Sequence, residues 1–259
     1  MTTNQDSAAV SRPDALLPMP DPPERTPEEL SGFNHLSITG SSHFLAMHFG
    51  KLETTLVAGE HYLAPFPTRK MAGLKFPDLM IAFDVNPEAY YRHNAYIISE
   101  QGKPPDFVLE IASRATGRAD VLEKPEAYAA LGIPEYWRFD ETGRYHGARL
   151  EGDRLVHGAY QPIAIQELDE GILQGYSEVL NLILRWEDSR LGWYDPATGR
   201  YILTFKDQTA RAHDAEAALR TEREARAASE AALKAEREAR AASEAKIRAL
   251  EQELERRTS

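Results

Sequence analysis

The sequence contains no cysteine, which excludes both a disulfide framework and a metal site built from thiolates. It also lacks a basic N-terminal segment followed by an apolar stretch, so a secretory signal is not expected. No run approaches the roughly eighteen consecutive apolar residues that a membrane-spanning helix needs. These absences favour a soluble protein of a reducing compartment, and we expect it in the cytoplasm, without a membrane partner.

An excess of positive charge is also missing. The 259 residues carry 30 basic and 41 acidic side chains, for a net charge of −11. Residues 210–259 contain 11 of each sign, so the whole net charge belongs to residues 1–209. Because an acidic body does not attract a polyanion at long range, nucleic-acid binding would need a local basic strip, a metal ion or a partner.

The composition divides the chain into three segments. Residues 1–32 carry six prolines among polar and acidic residues, which predicts a disordered leader. Residues 33–205 contain the apolar runs of a folded domain and are numerous enough to bury one substantial core. Residues 206–259 are charged and rich in alanine, which predicts a long helix.

The C-terminal segment repeats itself. EREARAASEAALKA at 222–235 is followed by EREARAASEAKIRA at 236–249, a repeat of two heptads. Alanines recur at the two heptad positions that would form a seam: Ala218, Ala225, Ala232, Ala239 and Ala228, Ala235, Ala242, Ala249. The pattern is typical of a coiled coil, which would serve as a dimer stem or a partner-docking rod. A solvated single helix held by Glu–Arg pairs is the alternative.

The middle segment has the pattern of an α/β (α+β) domain. PDLMIAFDV and PDFVLEIAS predict buried strands, and the polar stretch between them predicts a long connection. Helices are expected at 43–56 and at 120–131, the second ending at Gly132. The expected elements after them are a strand at 135–140 and several short strands with turns at Glu151-Gly-Asp and Pro196-Ala-Thr-Gly.

Two carboxylates in the predicted strands could act together. If the strands at 77–85 and 105–113 are antiparallel, Asp78 at the start of one lies beside Glu110 near the end of the other. Asp106 and Glu110 stand about 13 Å apart along one strand, too far to share a cation. Asp78 and Glu110 are therefore the pair able to bind a hard divalent cation, with water completing its coordination.

Structural roles remain alternatives for the same residues. Aspartate is common at strand starts and turns, so Asp78 could mark the beginning of a strand. Glu110 interrupts an apolar run and needs a partner once buried, and a salt bridge to Lys124 or Arg114 would also supply one.

The proline-aspartate at a strand start, followed by an acidic residue in the next strand, resembles the PD-(D/E)xK nuclease superfamily. The lysine expected two residues after Glu110 is replaced by Ala112. Asp120, Lys124 and Tyr128 instead follow at i, i+4 and i+8 on the next predicted helix. PPDFVLEIAS, this D-x-x-x-K-x-x-x-Y pattern and LGIPEYWRFD together resemble the Uma-two family of restriction-endonuclease-like proteins, in which the lysine has moved in this way.

The resemblance implies a restriction-endonuclease-like core, which has a mixed sheet with flanking helices. It also implies a Mg²⁺-dependent (or Mn²⁺-dependent) DNA endonuclease. Asp78 and Glu110 would bind the metal, with the backbone carbonyl of Ile111 as a further ligand. Lys124 would stabilise the scissile phosphate or position the attacking water. The secondary candidates are Glu53 from the first helix, with Glu60 behind it, and Asp106 and Asp120. His43 matches a recurrent histidine of the family's first helix.

Superfamily nucleases often act as dimers, so a homodimer is expected through the nuclease core or the C-terminal helix. The rival hypothesis is a nuclease-fold scaffold without catalysis that acts through its coiled-coil tail. The acidic body and Ala112 favour this rival, whereas the coexistence of Asp78, Glu110 and Lys124 favours the endonuclease.

Overall fold

The computed structural model of the protein describes residues 18–22, 40–168, 171–188 and 190–258. The chain forms two units, one ending at Phe205 and one beginning at Lys206. Most of the expected leader lies outside the described residues. Its described part, 18–22, contacts the folded domain, because the Met19 N–H donates to the His93 carbonyl at 2.8 Å and Met19 is buried.

The first unit is built on a six-stranded mixed sheet. Its strands are β1 (Thr55–Ala58), β3 (Leu79–Phe83), β5 (Phe107–Ile111), β6 (Glu135–Phe139), β7 (Leu150–Val156) and β8 (Ala159–Pro162), in the order β1-β3-β5-β6-β7-β8. The β5–β6 pair is parallel and the other pairs are antiparallel. The mixed sheet and the two central strands predicted from apolar runs are confirmed.

One face of this sheet is covered by a second sheet. The second sheet contains β9 (Ile165–Glu167), β10 (Leu173–Ser177), β11 (Leu182–Glu187), β12 (Arg190–Asp195) and β13 (Arg200–Tyr201), all antiparallel. Trp137 and Phe139 of the first sheet share an apolar core with Leu184 and Trp186 of the second. A separate parallel pair joins β2 (Tyr62–Ala64) to β4 (Ala95–Ile97).

The helices of the first unit are α1 (Ser41–Phe49), α2 (Pro87–His93), α3 (Ile98–Gln101), α4 (Gly117–Leu122) and α5 (Lys124–Ala130). Leu45 of α1 packs in the core between the two sheets, whereas the opposite face of the main sheet carries helices that include α2 and α5. Met80 and Val108 of the sheet pack there with Tyr90 of α2 and Tyr128 of α5. Because side chains alternate along a strand, residues 78 and 110 share this helical face.

Several boundaries differ from the sequence prediction for local reasons. The helix expected at 43–56 ends at Phe49, since Gly50 and Lys51 both have positive φ, and 55–58 is a strand. The connection before β5 contains α2, β4 and α3. The helix expected at 120–131 is divided into α4 and α5, because Pro125 has no N–H to donate within a continuous helix. Gly132, at φ 78°, follows α5 as expected.

The turn predicted at Glu151-Gly-Asp is wrong, because these residues lie inside β7. Gly152 is needed there for packing rather than for turning. A Cβ at this position would stand 2.7 Å from the Trp137 ring, closer than real Cβ atoms approach their neighbours. The turn at Pro196-Ala-Thr-Gly is confirmed between β12 and β13.

The second unit is one helix, α6 (Phe205–Thr258), of 54 residues. It would extend about 80 Å at the usual helical rise. Arg220–Glu224, Arg226–Glu230 and Arg240–Glu244 form i,i+4 ion pairs along its surface. The predicted helix is confirmed, while its pairing into a coiled coil stays a prediction. Within the described part of the chain, no helix combines the length and apolar character that crossing a membrane requires.

Candidate active site

The two strand-end carboxylates lie side by side. The antiparallel register pairs Leu79 with Leu109, so the preceding Asp78 faces the following Glu110, as the sequence predicted. Asp78 Oδ2 accepts a 2.6 Å hydrogen bond from the Ile111 N–H. Both carboxylates are almost fully buried, with 4 % of Asp78 and 3 % of Glu110 exposed. Their shared position is therefore fixed by the sheet itself.

Lys124 brings an ammonium group to this pair from the start of α5. Its Nζ lies 2.8 Å from Glu110 Oε1 and 2.7 Å from Asp120 Oδ1. Only 15 % of the Lys124 side chain is exposed. The structure thus brings together the two acids and the lysine on which the sequence argument depended, and it adds Asp120 as the second anion of the ammonium.

Two tyrosines hold the cluster from the helical face. The Tyr128 hydroxyl donates to Glu110 Oε1 at 2.6 Å, and the Tyr136 hydroxyl donates to the Asp120 carbonyl at 2.8 Å. Their rings lie 5.1 Å apart. Burial, strengthened by the charge of Glu110, raises the pKa of Tyr128 well above its ordinary value, so this hydroxyl remains a donor.

His146 is a member of the site that the sequence analysis missed. Its Nε2 lies 3.1 Å from Asp120 Oδ2, which also accepts from the Thr116 hydroxyl at 3.0 Å. The His146 side chain is fully buried. It comes from the segment between β6 and β7, 26 residues after Asp120. No local spacing signals such a contact, because it depends on how a loop folds over the sheet.

The cluster places the carboxyl groups of Asp78, Glu110 and Asp120 around a single ammonium group, that of Lys124. Burial raises the pKa of the Glu110 carboxyl to about 8; Lys124 opposes this rise, while Asp78 and Asp120 add to it. Burial acts to lower the pKa of Lys124, but Glu110 and Asp120 hold it above its usual range. Burial likewise acts to raise the pKa of Asp120, but His146 and Lys124 hold it below its usual range. The raised pKa of Glu110 therefore opposes its ionisation, which a nearby cation would favour.

The carboxyl groups of Asp78 and Glu110 suit a hard divalent cation that takes few ligands from the protein. In the described residues, no group of three or more His, Cys, Asp or Glu side chains is arranged to hold a metal ion. Mg²⁺, however, commonly takes one or two carboxylates and keeps several waters. Asp78 and Glu110 would supply the two carboxylates, and Asp120 adds a third acidic group close to Lys124. The Ile111 carbonyl remains a predicted ligand.

Two of the secondary candidates lie elsewhere. Asp106 is at the other end of β5, where it accepts from Lys103 Nζ at 2.7 Å and from the Phe83 N–H at 2.9 Å. Glu53 is exposed in the turn before β1, at the sheet end marked by the Thr55–Phe83 pair. The first helix therefore does not carry an acid to the site.

Glu60, the acid expected behind Glu53, lies closer to the site. Its N–H donates to the Pro77 carbonyl, next to Asp78, at 2.9 Å. His43 stacks on Phe205 with ring centroids 5.8 Å apart, a packing role outside the carboxylate cluster.

Asp140 shapes the loop that delivers His146. Its carboxylate accepts from the Thr142 hydroxyl at 2.9 Å and from the N–H groups of Thr142, Tyr145 and His146 at 3.0, 2.6 and 2.9 Å. Burial acts to raise the pKa of Asp140, but the donors, led by the His146 and Tyr145 N–H groups, hold it below its usual range. The ionised carboxylate therefore stabilises the folded loop.

Replacing Asp140 by asparagine should lower the free energy of unfolding at neutral pH by about 1–3 kcal/mol, because N–H donors lose a charged acceptor. A depressed pKa contributes stability above the unfolded pKa of about 4, which is lost as the pH falls through the folded pKa. The difference between wild type and Asp140→Asn should thus shrink on acidification. Urea unfolding at several pH values measures it, with exposed Glu141→Gln as the control. A difference independent of pH would contradict this role.

Parts of the chain are similar to a solved structure and to a protein-family model. No curated protein matches the chain. A solved structure from Anabaena variabilis, described as a "putative nuclease belonging to DUF820", is 14 % identical in sequence. The alignment covers 57 % of this chain and 75 % of that one, with a TM-score of 0.35. Residues 66–179, which include Asp78, Glu110, Lys124 and His146, match the model of the Uma2 (Uma-two) family, described as "Putative restriction endonuclease", and this confirms the resemblance over that segment.

Proposed function

We propose that the protein is a Mg²⁺-dependent (or Mn²⁺-dependent) DNA endonuclease that hydrolyses phosphodiester bonds with a metal-activated water. The observation that carries the proposal is the convergence of Asp78, Glu110 and Lys124 at one end of two central strands. The family match over residues 66–179 supports the same chemistry.

Each residue has a role that its contacts support. Asp78 and Glu110 would hold the cation, with the Ile111 carbonyl beside them. When bound, the cation would make a water more acidic and offset charge on the phosphate. Lys124 lies between two carboxylates, so it carries its proton and is suited to contact a phosphate oxygen rather than to accept a proton.

Asp120 and Tyr128 position these groups without themselves meeting the substrate. Asp120 holds the Lys124 ammonium, and His146 and Thr116 hold Asp120. Tyr128 holds Glu110 through the same oxygen that Lys124 contacts. The arrangement fixes the lysine near Glu110 although the chain lacks a lysine at position 112. A relocated lysine removes one argument for an inactive scaffold.

The test is metal-dependent cleavage by the intact chain. Purified protein should cut DNA in Mg²⁺ or Mn²⁺, and EDTA should stop the reaction. Asp78→Asn should raise the metal concentration needed for half-maximal cleavage by about 10- to 100-fold, since a ligand charge is lost. Cleavage that persists in EDTA, or a metal requirement unchanged by Asp78→Asn, would contradict the proposal.

The scaffold remains a second candidate because of α6. Its 54 residues project many exposed apolar and charged side chains, among them Leu219, Leu233 and Ile247. Such a surface suits a partner helix or a second copy of the chain, and it would also provide the predicted homodimer. Absence of cleavage on every DNA substrate, together with absence of metal binding by calorimetry, would favour the scaffold.

A further inference from the structure

Two chain segments flank the candidate active site, and we call them together the basic rim. The first, residues 65–77, ends directly before Asp78, and the second, residues 112–118, begins directly after Ile111. Asp78 Oδ2 and the Ile111 N–H are joined by the 2.6 Å hydrogen bond described above. Both segments therefore adjoin the sheet at the end of β3 and β5 where the carboxylates lie.

The basic rim differs in charge from the rest of the protein. It contains five basic and no acidic residues, whereas the remaining chain has a net charge of −16. The basic residues are Arg69, Lys70, Lys75, Arg114 and Arg118, of which all but the half-buried Lys75 are exposed. The local basic strip that nucleic-acid binding would require thus occupies the two segments that adjoin Asp78 and Ile111 in the chain.

The apolar residues of the longer segment, 65–77, differ in how far they are packed into the protein. Met71, Leu74 and Phe76 pack against a core cluster that includes Tyr62. The Leu63 N–H donates to the Lys75 carbonyl at 2.8 Å, which fastens the segment to β2. Phe66 is 67 % exposed and contributes little to this packing. Phe66 stands three and four residues before the exposed Arg69 and Lys70. An exposed ring in a basic segment is a combination that binds unpaired bases and their backbone.

Each segment of the basic rim carries a basic residue close to the carboxylates. Lys75 precedes Asp78 by three residues, and Arg114 follows Ile111 by three. The Cα of Lys75 therefore lies within about 11 Å of the Asp78 Cα, and the Cα of Arg114 within the same distance of the Ile111 Cα. A strand held by these side chains would pass the carboxylates and Lys124. A duplex offers Phe66 no exposed base face, since its bases are stacked on one another, whereas a single strand does.

We propose that the basic rim binds single-stranded DNA, with its lysines and arginines on backbone phosphates and the Phe66 ring stacked on an unpaired base. The inference deepens the proposed function, because it names DNA with unpaired bases as the substrate of the same site. Binding in the absence of metal, however, can be measured whether or not cleavage occurs.

Fluorescence anisotropy of a labelled oligothymidine with the full-length protein in EDTA tests the proposal. Single-stranded DNA should bind at least about tenfold tighter than a duplex of equal length, since a single stacked base contributes that much. Phe66→Ala should weaken single-strand binding by about 5- to 100-fold and Phe66→Trp should restore it. Both substitutions fall on an exposed side chain, and thermal unfolding should confirm an intact fold.

The salt dependence separates phosphate contacts from stacking. The triple variant Arg69→Gln, Lys70→Gln, Lys75→Gln should flatten the slope of log affinity against log salt by about 2, since each lost phosphate contact contributes about 0.7. Arg200→Gln, an exposed arginine on β13, should leave affinity and slope unchanged.

Equal or tighter binding of duplex DNA, tighter binding of the matching RNA, or single-strand affinity insensitive to Phe66→Ala would overturn the inference. The proposed function fails separately, when no metal supports cleavage although rim-dependent binding is present.

Discussion

Replacing Glu110 by glutamine should reduce the rate of DNA cleavage by at least about 1000-fold, because the substitution removes a charge on which the metal and the developing transition state depend. The substitution keeps the size of the side chain and an oxygen able to accept from Tyr128. The loss should therefore arise from charge and not from collapse of the site. Single-turnover cleavage at saturating Mg²⁺, with thermal unfolding in parallel, measures the effect.

The chain offers a matched control on the same strand. Asp106 directly precedes β5 at the end of the strand far from Glu110, where it pairs with Lys103. Asp106→Asn should cost stability yet leave the cleavage rate within a few-fold of wild type, since Asp106 contacts neither Glu110 nor Lys124 in the described hydrogen bonds and ion pairs. A Glu110→Gln variant that cleaves within tenfold of wild type would refute the role of Glu110.

The Lys124→Met variant distinguishes a role in metal binding from a role in contacting the phosphate. Cleavage should fall by about 100- to 1000-fold, the usual effect of losing one charge-stabilising donor. The metal concentration for half-maximal cleavage should not rise, because the metal ligands retain their carboxylates. A parallel loss of metal affinity would show that Lys124 acts by holding Glu110 in place.

The second large effect is expected in stability and concerns Glu135. This residue, with no exposed surface, begins β6 and reaches the segment after β10. Its Oε2 accepts from Trp137 Nε1 at 3.0 Å and from the Ser177 hydroxyl at 2.6 Å. Its Oε1 accepts from the Glu178 N–H at 2.9 Å and lies 3.5 Å from an Arg154 guanidinium nitrogen. One carboxylate thus joins the two sheets.

Glu135→Ala should lower the free energy of unfolding by about 3–5 kcal/mol, because several buried donors lose their acceptor together. Urea unfolding of the full-length protein measures the loss. Glu178→Ala is the matched control, since Glu178 also pairs with Arg154 but its side chain is 61 % exposed. The control should lose no more than about 1 kcal/mol. A Glu135→Ala loss as small as that of the control would show that the carboxylate is dispensable.

Short-range patterns were sufficient to predict the central part of the site. Asp78 at the start of one apolar run and Glu110 near the end of the next were predicted to meet if their strands are antiparallel. The spacing of Lys124 and Tyr128 placed both on one helical face, and both contact Glu110. The pairing of Asp78 with Glu110 needed only the period of a strand, which is fixed by backbone geometry. The assignment of Lys124 to the site came from the resemblance to the Uma-two family.

The remaining features depend on contacts that no local period encodes. His146 reaches Asp120 only because Asp140 folds the intervening loop. Glu53 was assigned to the site on the assumption of a helix through residue 56, whereas the chain turns at Gly50 and places Glu53 at the other end of the sheet. The second sheet was predicted as short strands, but its packing against Trp137 depends on shape complementarity between distant residues.

Several contacts that define the site join parts of the chain that are distant in sequence. Asp78 meets Ile111 across 33 residues, Tyr128 meets Glu110 across 18, and His146 meets Asp120 across 26. Closing such long loops costs chain entropy before any contact rewards it. A nascent or partly folded chain therefore cannot hold these carboxylates together. The chemical groups of the site are therefore assembled only in a chain whose central sheet, short helices and loop around Asp140 have formed.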